Sequence, residues 1–141
     1  MRNISILIFF LVFSKLNAFD IKLEKIFEDL DKPWSLSFID QNNIIFTEKS
    51  GKLYSLNIKD KQVLEIKHNL SVLEVGQGGL LDVLFDKEHV YISYSENRGD
   101  WKTSTSVAKG KFTKTRIEFK NIFQAEPPID SGYHFGSRLV I

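Results

Sequence analysis

Residues 33–66 read PWSLSFIDQNNIIFTEKSGKLYSLNIKDKQVLEI, and this stretch indicates the class of fold. Trp34, Leu36 and Phe38 alternate with two serines, which is typical of a β-strand with one apolar face. Clusters of Asp, Asn, Gly and Lys then divide the remainder into three more short apolar runs, and such clusters favour tight turns. We therefore predict four antiparallel strands within about 35 residues, which is the size of one β-propeller blade.

A second cycle of the same kind follows the glycine-rich residues 76–79. Its strands are predicted at 80–85, 90–94, 104–112 and 116–119, with a polar loop at 95–102. The chain shows little sign of a long amphipathic helix, so the sequence predicts an all-β fold. The two cycles share few identities, and a sandwich or another barrel also fits them. The recurrence of the pattern at about 40 residues favours a propeller.

The overall composition restricts the classes of function. The 141 residues are 43% hydrophobic and include 12 Phe, which is enough apolar material for a folded core. There is no cysteine, so disulfides, thiolate catalysis and cysteine-ligated zinc are excluded. The 19 basic and 18 acidic residues are interspersed along the chain, which argues against a nucleic-acid partner.

The first 18 residues have the features of an export signal. Arg2 is followed by an apolar run of ten residues, Ile4 to Phe13, interrupted only by Ser5, and Leu16-Asn17-Ala18 offers a cleavage site. A membrane-spanning helix needs about 20 residues. We therefore expect residues 1–18 to be a cleaved signal peptide, the mature chain to be periplasmic or secreted, and no stable membrane span. An uncleaved anchor is the alternative, because Leu16 is bulkier than the small residue usual at that position.

A histidine between two glycines is the first candidate for chemistry. His134 lies in the segment SGYHFGS at 131–137, and glycine tolerates the backbone angles of a sharp bend. Imidazole titrates near neutral pH, so His134 is a candidate general base. Taken alone, the pattern also fits a partly buried, hydrogen-bonded structural histidine.

Gln77 is the second candidate, and it lies in the loop GQGG at 76–79. The glycines let the backbone come close to a ligand, and the amide can both donate and accept hydrogen bonds. A plain β-turn between two blades is the alternative interpretation of this loop.

Three segments, in this order, resemble the soluble quinoprotein sugar dehydrogenases of the glucose/sorbosone dehydrogenase family. They are PWSLSF at 33–38 with TEKSGKL at 47–53, GQGGLLDV at 76–83, and SGYHFGSRLV at 131–140. The phrases VYISYS at 90–95 and SVAKG at 106–110 fit the same pattern. The resemblance runs from about Leu30 to the last residue.

That resemblance implies a six-bladed β-propeller in an exported enzyme, with pyrroloquinoline quinone (PQQ) over the central channel and calcium beside it. It implies oxidation of an aldose at the anomeric carbon to the lactone, with electrons passed to an external acceptor. His134 would be the general base, and Gln77 would contact sugar and quinone. Tyr133 would belong to the same binding site, but some family members carry a sugar-binding acid there, which leaves the choice of sugar open.

The resemblance covers only part of such a propeller. Residues 19–141 provide about two to three blades, and no segment matches the family's cofactor-binding arginines, its lysine or its calcium ligands. No metal ligand is therefore assigned. We expect an incomplete propeller domain, from a truncated reading frame or a partial record of a longer enzyme, that is inactive alone.

Two interpretations of another class are kept beside the enzyme. One is a non-catalytic exported propeller fragment that binds carbohydrate or protein through loops such as 95–102. The other is a half-propeller that self-associates into a closed ring.

Several other residues are assigned structural roles. Arg138 is interpreted as an ion-pair partner, with contact to an anionic cofactor as the alternative. Asp82 and Trp34 are expected to serve blade packing and turn support. His68 and His89 lack the spacing of a metal site and are expected at the surface.

Overall fold

The computed structural model of the protein describes residues 21–141. These residues form ten β-strands and no helix. The strands are β1 (Pro33–Phe38), β2 (Asn43–Glu48), β3 (Lys52–Asn57), β4 (Val63–Glu65), β5 (Lys67–His68), β6 (Leu80–Asp86), β7 (His89–Asn97), β8 (Thr103–Lys111), β9 (Arg116–Ile117) and β10 (Phe119–Gln124). The all-β prediction is confirmed, whereas the signal peptide predicted at 1–18 lies outside the described residues.

The first four strands form one antiparallel sheet in the order β1-β2-β3-β4. The Asp40 carboxylate accepts hydrogen bonds from the backbone N–H groups of Asn42 (2.8 Å) and Asn43 (2.9 Å), which closes the turn between β1 and β2. Gly51 lies in the next turn with φ of 102°, a conformation that residues with a Cβ rarely adopt. The polar clusters noted in the sequence therefore form the turns that end β1 and β2.

The second sheet has the order β6-β7-β8-β10 and differs from the sequence prediction in two places. β7 continues to Asn97, which pairs with Thr103, although the polar residues from 95 onward predicted a loop. β10 is the outer strand of the sheet, whereas β9 pairs in parallel with β5 outside it. The prediction was wrong here because backbone hydrogen bonds build a ladder regardless of side-chain polarity.

A core of buried apolar side chains joins the two sheets. Ile45 and Leu53 of the first sheet belong to the same buried cluster as Val83, Ile92 and Tyr94 of the second. Full burial of an aliphatic side chain of this size contributes about 1.5–3 kcal/mol. This shared core therefore fixes the two sheets against each other.

β1 meets the second sheet through its serines. Ser35 Oγ donates a hydrogen bond to Asp82 Oδ1 (2.5 Å), and Ser37 Oγ accepts one from the backbone N–H of Phe85 (3.0 Å). The alternating apolar side chains of β1 point to the opposite, exposed side: Trp34, Leu36 and Phe38. Small side chains at the contact let the first strands of the two sheets come close together.

Both candidate segments lie at one end of the second sheet. The loop at 69–79 leads into the start of β6, and the segment after β10 returns to the same end, where Ile129 and Thr103 exchange two backbone hydrogen bonds of 2.9 Å. Among residues 21–141, no helix has the length and apolar character needed to cross a membrane.

Candidate functional site

Gln77 and His134 touch each other. The backbone N–H of His134 donates a hydrogen bond to Gln77 Oε1 (3.1 Å), and the backbone N–H of Gln77 donates to the carbonyl of Gly132 (2.7 Å). Two residues 57 positions apart in the sequence are therefore held side by side. Because the oxygen of the exposed Gln77 amide is engaged, its NH2 group is the part left for a ligand.

The close approach of the two segments depends on glycine. A Cβ at Gly76 would lie 2.3 Å from the carbonyl oxygen of Gly132. A Cβ at Gly78 would lie 2.6 Å from Ser95 Oγ and 2.8 Å from Phe135 Cε2. No side chain fits these gaps, so the glycine-rich loop is packed tightly between β7 and the His134 segment.

The backbone bend lies at His134 itself. Its φ is 65° and that of Gly136 is 66°, whereas Gly132 has no positive φ. The left-handed conformation costs a residue with a Cβ about 1–2 kcal/mol. The bend leaves the imidazole exposed, and no described residue hydrogen-bonds to the ring. The ring nitrogens are therefore accessible to a ligand.

Tyr133 stands beside the imidazole. Its side chain is 61% exposed, and its ring centroid lies 6.4 Å from that of His134. An exposed phenol ring can pack against a sugar ring and hydrogen-bond to it. The three candidate residues, including Gln77, thus form one exposed cluster.

Asp82 anchors the chain beyond His134. Its buried carboxylate accepts hydrogen bonds from the backbone N–H of Leu139 (2.6 Å) and from Ser35 Oγ (2.5 Å). Arg138 Nη1 lies 3.6 Å from the same carboxylate, but the arginine side chain is 80% exposed, so solvent screens this ion pair. These contacts agree with the structural roles expected for Asp82 and Arg138.

Two residues at the first sheet, Lys49 and Trp34, make three hydrogen bonds to the site. The Lys49 ammonium donates a hydrogen bond to the carbonyl of Gly76, and the Lys49 carbonyl accepts one from the backbone N–H of Leu80 (3.1 Å). Trp34 Nε1 donates to Ser137 Oγ (2.9 Å). Trp34 is partly exposed. Through this hydrogen bond it supports the segment that follows His134, and it does not pack inside a blade.

His68 is half-buried, so its expected surface position is wrong. Its Nε2 lies 2.8 Å from the carbonyl oxygen of Gly51, and its Nδ1 accepts a hydrogen bond from the backbone N–H of Leu70 (3.2 Å). Burial lowers the pKa of His68. The ring is a structural element that joins two turns.

A second group of titratable residues is also structural. Burial raises the pKa of Tyr94 to about 12. Desolvation acts to raise the pKa of Glu96, but hydrogen bonds from Gln124, Ser106 and Asn121 outweigh it and lower that pKa. Because these bonds hold the Glu96 carboxylate within the second sheet, Glu96 is not available as a catalytic acid or base.

The cluster fits an organic ligand better than a metal ion. Within residues 21–141, no three His, Cys, Asp or Glu side chains converge. The described residues therefore provide no group of three such side chains around the calcium ion that the resemblance implies. The free NH2 of Gln77 and the exposed imidazole of His134 fit a ligand such as PQQ or a sugar, which offers oxygen atoms for hydrogen bonding.

The sequence interpretation missed the hydroxyls that hold these segments. Ser93 and Ser95 of β7 and Thr105 of β8 bond to backbone groups of the two candidate segments. A signal was present in VYISYS, because the two serines alternate with apolar residues and so share the face opposite the core. Their partners are carbonyls and N–H groups, which a sequence does not display.

Solved structures define the class of fold. The soluble aldose sugar dehydrogenase of Escherichia coli in its apo form has a TM-score of 0.76 and 31% identity, over 84% of this chain and 37% of that one. A glucose dehydrogenase has a TM-score of 0.75 and 33% identity, over 82% and 36%. The PQQ-bound aldose sugar dehydrogenase of Streptomyces coelicolor, at TM-score 0.65 and 14% identity over 74% and 34%, supports the fold alone. The chain has the fold of part of a β-propeller.

Sequence relatives define the family. The profile of the Glucose / Sorbosone dehydrogenase family matches residues 30–141. The chain is 30% identical over 129 residues to aldose sugar dehydrogenase YliI of Escherichia coli K12, covering 85% of this chain and 35% of that protein. It is 28% identical over 140 residues to the uncharacterized protein slr1608 of Synechocystis, covering 87% and 33%. This chain therefore belongs to the glucose/sorbosone dehydrogenase family and spans about a third of the length of these relatives.

Proposed function

We propose that this chain provides the proton acceptor for PQQ-dependent oxidation of an aldose sugar to its lactone by a complete propeller. The hydrogen-bonded pair of Gln77 and His134, exposed at one end of the second sheet, carries the proposal. The family supports it, because the chain belongs to the glucose/sorbosone dehydrogenase family and a relative is an aldose sugar dehydrogenase.

His134 acts as the general base. Bound PQQ supplies the acceptor for the hydride that leaves the anomeric carbon. The imidazole of His134 takes the proton of the anomeric hydroxyl on an unprotonated ring nitrogen, so the C–O single bond becomes the carbonyl of the lactone. When bound, PQQ would pass the two electrons on to an external acceptor, and His134 would release its proton to solvent before the next cycle.

Gln77 and Tyr133 orient the reactants. The Gln77 NH2 group donates a hydrogen bond to a sugar or quinone oxygen, while its carbonyl oxygen keeps the His134 backbone in place. The Tyr133 ring flanks the sugar, and its hydroxyl selects among sugar hydroxyls. No step is assigned to calcium.

The test is a chimera in which residues 30–141 replace the matching region of the E. coli aldose sugar dehydrogenase. With PQQ and calcium added, dye-linked oxidation of aldoses is expected, and His134→Asn should lower kcat by about 10²–10⁴-fold. Asn is the chosen replacement because it tolerates the left-handed conformation of residue 134, so the backbone is disturbed least.

Two controls complete this test. His89→Gln should retain the turnover, because His89 pairs with Asp86 at the end of the second sheet that lies away from the site. A folded, PQQ-binding chimera whose His134→Asn variant remains fully active would show that His134 is not the base. The 141-residue chain alone is expected to give no turnover, and robust turnover by it would contradict the need for the remaining blades.

We also propose that residues 1–18 are removed on export, leaving residues 19–141 as a partial propeller domain in the periplasm or the medium. Mass spectrometry of the mature N-terminus tests this. A mature chain that still contains residues 1–18 in the membrane fraction would favour the uncleaved anchor.

A non-catalytic carbohydrate-binding role is the second candidate. Trp101 is 78% exposed between β7 and β8, in a tip where Gly99, Asp100 and Trp101 all have positive φ. Exposed indole rings pack well against sugar rings. Sugar binding by the 141-residue chain that needs no PQQ, and that is lost in Trp101→Ala but kept in His134→Asn, would favour this role.

A further inference from the structure

We propose that three hydroxyl side chains, those of Ser93, Ser95 and Thr105, are the positioning residues that hold Gln77 and His134 in reactive geometry. The inference rests on the proposed function and deepens it. These residues do not touch the substrate. They act through the backbone of the two segments that carry the site.

The three hydroxyls lie on one face of the second sheet. Ser95 of β7 lies directly opposite Thr105 of β8 in the ladder, and Ser93 lies two residues before Ser95 on the same side of β7. Ser93 and Ser95 are 2% and 0% exposed, because the two candidate segments cover them. We call these three residues the hydroxyl row.

Ser95 holds the loop on both sides of Gln77. Its Oγ accepts a hydrogen bond from the backbone N–H of Gly79 (2.7 Å) and donates one to the carbonyl of Leu73 (2.6 Å). Its backbone N–H and carbonyl pair with the same two residues, at 2.9 and 3.0 Å. The loop is therefore clamped before and after Gln77.

Thr105 and Ser93 hold the segment that follows the candidate base. Thr105 Oγ1 donates a hydrogen bond to the carbonyl of Phe135 (2.9 Å), and Ser93 Oγ donates to that of Ser137 (2.6 Å). Ser93 Oγ also accepts from the backbone N–H of Asp82 (3.1 Å). Carbonyls one and three residues after the base are thus fixed to the sheet.

This anchoring explains how His134 keeps a left-handed backbone. Such a conformation in a residue with a Cβ persists only where the surroundings over-determine it. The hydroxyl row fixes the peptide groups that follow the bend, while Gln77 fixes the N–H of His134 itself. Without the row, the bend relaxes and the imidazole leaves its place beside Gln77.

The first test measures hydrogen exchange in the 141-residue chain by NMR. Thr105→Val removes the hydroxyl at nearly constant shape, whereas Thr105→Ser keeps it. Thr113→Val is the matched control, since Thr113 Oγ1 bonds to the Arg116 carbonyl beyond the other end of β8. Thr105→Val should speed exchange of the His134 N–H at least about tenfold relative to β3 amides, while Thr105→Ser and Thr113→Val should not.

Ser93→Ala is the second variant, because it probes the row at another anchor. It should also speed exchange of the His134 N–H relative to the β3 amides. Unchanged exchange in both Thr105→Val and Ser93→Ala would overturn the proposal.

The second test uses the chimera described above. Thr105→Val should lower kcat about 10–100-fold with KM changed less than about twofold, because a displacement near 1 Å has this effect on a positioned base. Thr105→Ser should restore kcat. A rise in KM with kcat unchanged would contradict a positioning role. A chimera that is inactive in every form counts against the proposed function, while the exchange result still decides on the hydroxyl row.

Discussion

His68 and His134 differ in what their rings touch. The His134 ring is exposed and has no hydrogen-bonding partner among the described residues, so its nitrogens are accessible to a ligand. The His68 ring is held between two backbone groups, with Nδ1 accepting the N–H of Leu70 and Nε2 beside the carbonyl of Gly51. Only the neutral ring with a proton on Nε2 satisfies both contacts.

Stability should therefore depend on pH through His68. Burial lowers the pKa of His68 from its ordinary value of 6.5, so the unfolded chain binds the proton at higher pH than the folded chain does. The contribution of His68 to the free energy of unfolding is fully present above about pH 6.5, falls as the pH drops below that value, and levels off below the pKa of the folded ring. Urea unfolding at pH 7.5 and at pH 5.5 measures the change in the free energy of unfolding.

Substitution separates this effect from that of the carboxylates. From pH 7.5 to pH 5.5, the free energy of unfolding should fall less for the His68→Gln variant than for the unchanged chain. His89→Gln is the matched control and should behave like the unchanged chain. Equal losses in the unchanged chain and His68→Gln would contradict the assignment.

At the scale of elements, the loop at 76–79 and the segment at 131–137 form one unit. The loop comes before the first strand of the second sheet, and the segment comes after its last strand. They meet through the Gln77 and Gly132 backbones, and the loop glycines are what permit the contact. The position of the candidate base thus depends on the backbone of a loop far away in the sequence.

Two alanine substitutions test this unit. Gly76 and Gly136 have similar φ values of 53° and 66°, so both substitutions carry the left-handed penalty of about 1–2 kcal/mol. A Cβ at Gly76 meets the Gly132 carbonyl, whereas a Cβ at Gly136 meets nothing within 4 Å. Gly76→Ala should therefore cost about 1–3 kcal/mol more than Gly136→Ala in urea unfolding. Equal costs would show that the loop moves away freely.

At the scale of the whole molecule, the outer side of the first sheet is exposed and apolar. Trp34, Leu36 and Phe38 are 44%, 53% and 62% exposed. With Phe27 and Leu30 of the preceding segment they line a cavity of about 680 Å³. A contiguous apolar surface of this kind favours association with another apolar surface.

We expect the 141-residue chain to self-associate through this face. A double substitution, Leu36→Lys with Phe38→Ser, should lower the mass measured by light scattering, with little effect on stability because both side chains are exposed. Ile122→Lys with Phe123→Ser, on the exposed outer strand β10, is the matched control. A discrete dimer would support the closed-ring interpretation, and a clean monomer for the unchanged chain would contradict it.

Local patterns account for most of the strands but not for their partners. The alternation in 33–38 and the turn clusters after it predicted the first sheet, because period-two burial and turn chemistry act over a few residues. The extension of β7 to Asn97 and the pairing of β10 were not predictable, because they depend on which backbone edge is available after folding. Which side of β1 packs against the second sheet also depends on the contacts that form in the folded protein.

By itself, the sequence determined the all-β class, the family resemblance and the candidates His134 and Gln77, because these depend on residue type and short spacing, and the resemblance added Tyr133. Only the tertiary structure decided that Gln77 touches His134, that the bend lies at the histidine, and that buried hydroxyls hold both segments. The reason is physical. Those contacts join backbone groups across the ends of a sheet, and a backbone group carries no signature in the amino-acid sequence.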